Sequence, residues 1–196
     1  MSFISALENI HSQGKFGDHE NKNENDLLKI FEIKNLLIVQ IVQFKNSTIS
    51  SDNIDIDGLK LKDVALSVVS NDDTRILWNG PKNWLLVSKK KSIFKDICEA
   101  FKEIDFAVTD LSHARAIIEL EGQDVKEVLK KGCPFNFNSL DKNNSINSSF
   151  NGITFTLDML NDKPDKVRLF VLRSFGESFY HSITDASLEF GFKSIK

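Results

Sequence analysis

The stretch WLLVSKKKSIFKDICEAFKEIDF, residues 84–106, decides the fold of this chain. It opens as an apolar strand, passes through a basic turn, and then sets Ile93, Phe94, Ile97, Phe101 and Ile104 at i, i+1, i+4, i+8 and i+11. That spacing keeps all five on one stripe at helical period, so it predicts an amphipathic helix over residues 89–104 packed on strands. The same grammar returns about 84 residues later as LFVLRSFGESFYHSITDASLEFGF, residues 169–192. There Ser174, with Glu177 three positions on, has the form of a capping box, and Phe179, Ile183, Ala186 and Phe190 repeat the stripe. A strand, a polar start, an amphipathic helix and an aromatic exit occurring twice predict an α+β fold with a duplicated strand–helix unit.

Working outward, residues 27–34 and 36–44 are dense in Ile, Val and Phe and partly alternate, as strands with a buried face do. Residues 64–70, 74–88, 105–112, 115–122, 151–160 and 167–173 read as further strands, with Asn79-Gly80-Pro81 as the turn between Trp78 and Trp84. Residues 45–63 read as a solvated connection without a motif. The start pairs a short amphipathic turn (Phe3, Ile4, Leu7, Ile10) with a polar run, so residues 1–26 are expected to be a flexible or partner-ordered arm. Residues 27–196 are expected to form a single domain of two pseudo-repeats.

Composition narrows the functional classes. With 25 Lys and Arg against 28 Asp and Glu, the net charge of −3 supplies no field to hold nucleic acid or an anionic membrane. No apolar run approaches the roughly 20 residues of a membrane span, and the start lacks the basic and apolar regions of a secretory signal, so the cytoplasm is expected. Cys98 and Cys133 stand far apart, and His11, His19, His113 and His181 have no metal-ligand spacing. No metal site is expected.

Residues 109–122, TDLSHARAIIELEG, bring an acid, a hydroxyl, an imidazole and a guanidinium together. Along a strand Asp110 and Ser112 face one way and His113 and Arg115 the other, so four contiguous extended residues cannot converge as a Ser-His-Asp triad. Asp110 and Ser112 suit turn bonding between strands, and His113 and Arg115 suit an inter-subunit polar pair. Gly132 and Pro134 in KKGCPFNF, residues 130–137, are expected to end a helix, Gly132 as its left-handed C′ residue. Cys133 between them is expected to be a packed thiol rather than a nucleophile.

These motifs carry a resemblance. DLSHARAIIELEG with GCPFNF resembles the Asp-x-Ser-His segment of the folate-binding domain of aminomethyltransferases, the T-protein family of glycine cleavage. RILWNGPKNWLLV, DLSHARAIIELEG, LKKGCPFNF and LFVLRSFGESF, in that order, are similar to the gamma subunits of heterotetrameric sarcosine oxidases, over roughly residues 28–192. The resemblance implies a duplicated folate-binding-domain fold of the aminomethyltransferase type. It also implies a non-catalytic gamma chain assembled with alpha, beta and delta subunits. Such a complex demethylates sarcosine to glycine with FAD, FMN and NAD on the other subunits, and passes the one-carbon unit to tetrahydrofolate. The absence of a GxGxxG fingerprint agrees with a chain that holds no dinucleotide.

The rival that resemblance allows is a stand-alone folate-binding protein or one-carbon transferase. In the transferases an Asp in this region engages folate, and an ungapped count places Asn136 there, with Asp141 five residues on. An amide cannot take up a proton near neutral pH as a carboxylate can. No catalytic or cofactor-binding residue is therefore assigned to this chain. Trp84, Asp110, His113, Arg115, Gly132, Cys133, Pro134, Arg173 and Ser174 are the expected family-motif or interface positions, and self-association of the isolated chain is expected through surfaces meant for partners.

Overall fold

The computed structural model describes residues 4–20 and 22–195; Phe3 lies outside the described residues. In chain order come β1 (Gly14–Phe16), β2 (Leu28–Glu32), β3 (Leu37–Gln43), β4 (Asp55–Ile56) and β5 (Leu59–Lys60). They are followed by β6 (Val68–Ser70), β7 (Thr74–Gly80), β8 (Asn83–Ser88), α1 (Ile93–Ala100) and β9 (Phe106–Asp110). The rest is β10 (Arg115–Glu121), α2 (Val125–Lys130), β11 (Ser145–Phe150), β12 (Ile153–Asp162), β13 (Asp165–Leu172), α3 (Gly176–Ser187) and β14 (Phe192–Ile195). The chain divides into two compact units. An inner unit comprises Asn35–His113 and Asn143–Ile146, and a terminal unit comprises Met1–Lys34, Ala114–Lys142 and Asn147–Lys196. The sequence reading of an arm followed by a single domain draws its boundary elsewhere, because the strands of the terminal unit come from both ends of the chain.

The inner unit is a sheet in the order β6-β7-β8-β3-β9, with antiparallel pairing throughout. Alternation sends Leu37, Val39 and Ile41 to one face with Ile76, Trp84 and Leu86, where Ile93 and Ile97 of α1 cover them. Phe101 leaves the helix in an extended conformation and meets Phe106 edge-on at 5.0 Å. That turn ends α1 before Ile104 can join the stripe, so the helix is shorter than 89–104 and Ile104 is 85% exposed. The segment 45–63 is not merely solvated: Ile56, Leu59 and Leu61 are buried, and Asp57-Gly58, at φ 54° and 77°, closes the β4–β5 hairpin. The Asp57 carboxylate accepts from Thr74 Oγ1 (2.7 Å) and Lys90 Nζ (2.9 Å), tying the hairpin to the ends of β7 and β8.

The terminal unit is a mixed sheet in the order β1-β14-β2-β10-β13-β12-β11, in which β14 runs parallel to β2. Ile118, Leu120, Leu169 and Val171 are buried together with Val125, Val128 and Leu129 of α2 and Phe179 and Ile183 of α3. Phe179 meets Phe150 at 6.1 Å and Phe155 at 5.5 Å. On the opposite side of β10, buried Glu119 accepts from Arg168 Nη2 (2.7 Å) and pairs with Lys166 (3.0 Å).

The segment expected as an arm is laid into this unit. Leu7 and His11 are buried, β1 pairs with β14, and Ser5 bonds Glu32 through its hydroxyl. The capping box is also absent. A 3-10 turn over Arg173–Phe175 precedes α3, whose cap position is Phe175, and no side chain caps it. A Cβ on Gly176 would lie 2.9 Å from Ala116 Cβ and 3.2 Å from Ala6 Cβ, so the helix starts where glycine admits close packing.

Candidate functional site

The Asp-x-Ser-His segment is a turn with its polar groups spent locally. Asp110 Oδ1 accepts from the backbone N–H of Ser112 (2.8 Å) and from its hydroxyl (2.6 Å). Ser112 Oγ accepts in turn from the Ile38 N–H (3.0 Å), which fastens the end of β9 to the start of β3. The hydroxyl donates straight to the carboxylate, with no imidazole between them, so these groups form no charge-relay triad. His113 is exposed. Arg115, the first residue of β10, is half-buried, and loss of hydration holds its guanidinium below its ordinary pKa.

The Gly-Cys-Pro motif follows the end of α2, and its glycine differs from the reading given to it. Gly132 does not adopt the left-handed conformation. Space demands it instead, since a Cβ would stand 2.7 Å from Asn151 Oδ1 and 2.9 Å from the Phe150 ring. Cys133 is buried with Sγ 3.2 Å from Ser148 Oγ, a partner that cannot act as a base for a thiol. Pro134 follows on the exposed side. Asn136 caps a 3-10 turn, Phe137–Ser139, its Oδ1 accepting from the Asn138 N–H at 3.1 Å. That oxygen is thereby engaged by the chain's own backbone. Trp84 offers no side-chain surface to a partner: it is 1% exposed, with Nε1 bonded to the Lys62 carbonyl at 3.0 Å. Arg173 donates from Nη2 to the Ile4 carbonyl, and Ser174 is exposed.

Two features escaped the sequence reading. His11 is buried, its Nε2 2.9 Å from the Ile195 carbonyl and its Nδ1 2.9 Å from Tyr180 Oη. A carbonyl can only accept, so Nε2 carries a proton, and in the neutral imidazole Nδ1 then accepts from Tyr180 Oη. Burial pushes the Tyr180 phenol above its ordinary pKa. Nothing local marks this histidine, because its partners lie at the other end of the chain. Beside it, Ile10, Phe16, Leu188 and Phe192 line a cavity of about 600 Å³, with His181 and Asp185 also in its wall. The second feature is Asp57, which the Asp-Gly dipeptide could have marked as a hairpin turn. Among the described residues no group of three His, Cys, Asp or Glu side chains could hold a metal ion, and no helix is long and apolar enough to cross a membrane.

A family model for the sarcosine oxidase gamma subunit matches residues 48–189. The chain belongs to the sarcosine oxidase gamma subunit family. It is 30% identical over 120 residues to the sarcosine oxidase subunit gamma of Corynebacterium sp. (strain U-96), a match covering 60% of this chain and 58% of that relative. Its fold is similar to a chain of the heterotetrameric sarcosine oxidase from Corynebacterium sp. U-96, solved with pyrrole 2-carboxylate. The TM-score is 0.78 at 22% identity, covering 95% of each chain. The glycine cleavage aminomethyltransferase T of Bartonella henselae matches at a TM-score of 0.60 and 13% identity, over 82% of this chain and 46% of that one. Mixed sheets with helices of the gamma-subunit and aminomethyltransferase kind are therefore the architecture of this family member.

Proposed function

We propose that this chain is a non-catalytic gamma subunit of a sarcosine-oxidase-like complex in the cytoplasm, holding alpha, beta and delta subunits together. In this reading FAD, FMN, NAD and tetrahydrofolate belong to those other subunits. The match of residues 48–189 to the gamma-subunit family carries this reading, and an ungapped count that sets Asn136, an amide capping its own backbone, where the transferases have an Asp supports it. We also propose that the fold is duplicated, with β3, β6, β7, β8, α1 and β9 corresponding to β10, β11, β12, β13, α3 and β14. The matching sheet orders β6-β7-β8-β3 and β11-β12-β13-β10 support it.

Co-expression with the flavin-carrying subunits tests the assembly role. The complex is expected to form only when the gamma chain is present, and the purified gamma chain is expected to be colourless. A flavin spectrum from the chain alone, or assembly of an active oxidase without it, would overturn the reading. Titration with tetrahydrofolate is expected to give no binding tighter than about millimolar by calorimetry. Micromolar binding would favour the folate-protein alternative. Cys133→Ala is expected to cost about 1 kcal/mol of stability and to leave oxidase turnover intact.

A further inference from the structure

The cavity of about 600 Å³ in the terminal unit has the size of a small-molecule site, and its wall joins separate parts of the chain. Ile10 and Phe16 come from the N-terminal segment, Tyr180 and Leu188 from α3 and the turn after it, and Phe192 from β14. Phe16, Tyr180 and Phe192 make this wall largely aromatic. Phe16 and Phe192 stack at 5.2 Å with their planes 25° apart, and Phe16 and Leu188 remain 37% and 43% exposed. The charged part of the wall is one-sided. Asp185 stands in the last turn of α3, whose carbonyl end already favours positive charge, and that helix carries no Lys or Arg. Among the described residues the Asp185 carboxylate has neither a hydrogen bond nor an ion pair. His181, in the same wall, leans on Glu177 at 3.9 Å. The lysines near that helix end are taken up elsewhere, Lys131 by the Ala186 carbonyl (2.6 Å) and Glu189 (3.1 Å), and Lys22 by the Phe190 carbonyl (3.0 Å).

We propose that this cavity binds a small organic cation, an ammonium ion attached to an apolar body. Aromatic faces attract a positive charge held within about 6 Å of the ring, and the apolar wall takes up the body that carries it. The unpaired carboxylate of Asp185 supplies the counter-charge, so an anion of the same size is repelled and a neutral analogue gains only the apolar contact. No residue of the Asp-x-Ser-His turn or the Gly-Cys-Pro motif lines the cavity. Binding here does not require assembly with other subunits, so it stands or falls separately from the subunit role.

Benzyltrimethylammonium is the probe, because its charge is fixed at every pH and its ring and methyl groups supply the apolar body. Titrated into the full chain, it is expected to bind with a Kd of about 1 mM or tighter by calorimetry and to shift the NMR signals of Phe16, Asp185 and Phe192. Neutral phenylacetamide and anionic phenylacetate are expected to bind at least about fivefold more weakly. Asp185→Asn, at an exposed position, is expected to weaken the probe by about fivefold with the melting temperature unchanged. Phe16→Leu keeps the apolar volume and removes a ring face, and is expected to weaken it by about threefold. Lys95→Gln, on the exposed side of α1, serves as the control with no effect. Equal affinity for the three probes, or no binding at millimolar concentration, overturns the proposal. Affinity unchanged by Asp185→Asn places the probe elsewhere and overturns it too, and this variant decides alone if Phe16→Leu does not fold. Binding retained in the complex with the flavin-carrying subunits supports a small-molecule site. Binding lost there assigns the wall to a subunit contact and overturns the proposal.

Discussion

The inner and terminal units finish their strand–helix–strand runs differently. After α1 the inner unit lays β9 antiparallel and directly against β3. After α3 the terminal unit sends β14 to a place held off β10 by β2, and β14 runs parallel to that intervening strand. A parallel pair needs a long connection, and these two strands come from opposite ends of the chain. The inserted strand brings the N-terminal segment with it, so β1 then covers the outer edge of β14. An open strand edge invites non-native pairing, and this one is closed by residues whose polar composition reads as an arm. One added strand thus converts a terminal segment into part of the structure.

The largest expected effects test what the two units share. Phe101→Ala in the inner unit and Phe179→Ala in the terminal unit each empty a fully buried aromatic site, and each is expected to cost about 3–5 kcal/mol in chemical denaturation. A cost confined to one of them would break the comparison at its core. Leu7→Ala tests what they do not share. At 0% exposure its truncation is expected to cost about 2–5 kcal/mol, with faster amide exchange in β1 and β14 than in β9. Equal acceleration in β9 would show that the N-terminal segment does not belong to the terminal unit alone.

Smaller effects are electrostatic. In the inner unit, hydrogen bonds from Thr74 and Lys90 hold Asp57 below its ordinary 3.8, although partial burial opposes them. A depressed carboxyl stabilises the fold above its unfolded pKa, and that contribution is lost as pH falls through the lower folded value. Asp57→Asn is therefore expected to cost about 1 kcal/mol at neutral pH and to flatten the acid limb of a melting-temperature profile. The counterpart in the terminal unit is Glu24, which bonds Lys193 and Lys15 and is lowered from 4.5 to about 2. By the same sign, the tie between β1 and β14 is present above pH 4.5 and released as pH falls towards 2. Glu24 is exposed, so the expected readout is local exchange at β1 without a shift of global unfolding.

Much of this was legible from the chain. The stripes of α1 and α3, the Asn-Gly-Pro turn between Trp78 and Trp84, and the local bonding of Asp110 with Ser112 all lie within a few residues of one another. Periodicity and turn chemistry act over that range, and the ordered motifs carried the family as well. The capping box at Ser174 failed although its letters were right. The end of β13 spends a 3-10 turn first, and the close approach of Ala6 and Ala116 sets the helix start at Gly176. Gly132 was correctly singled out for its backbone but is required by Phe150 and Asn151, partners a whole strand away.

What the sequence determined by itself is the helix stripes, the longer strands and the local turns, because the forces that make them are exerted between near neighbours, whereas β1, β4, β5, β11 and β14 were not legible in it. What only the tertiary structure decided is their company. That β2 would separate β14 from β10, that His11 would donate to Ile195 and that Trp84 would be core are all set by contacts between distant residues. Such contacts depend on which strand edges and apolar faces remain once the local elements have formed, and no single stretch of the chain contains that information.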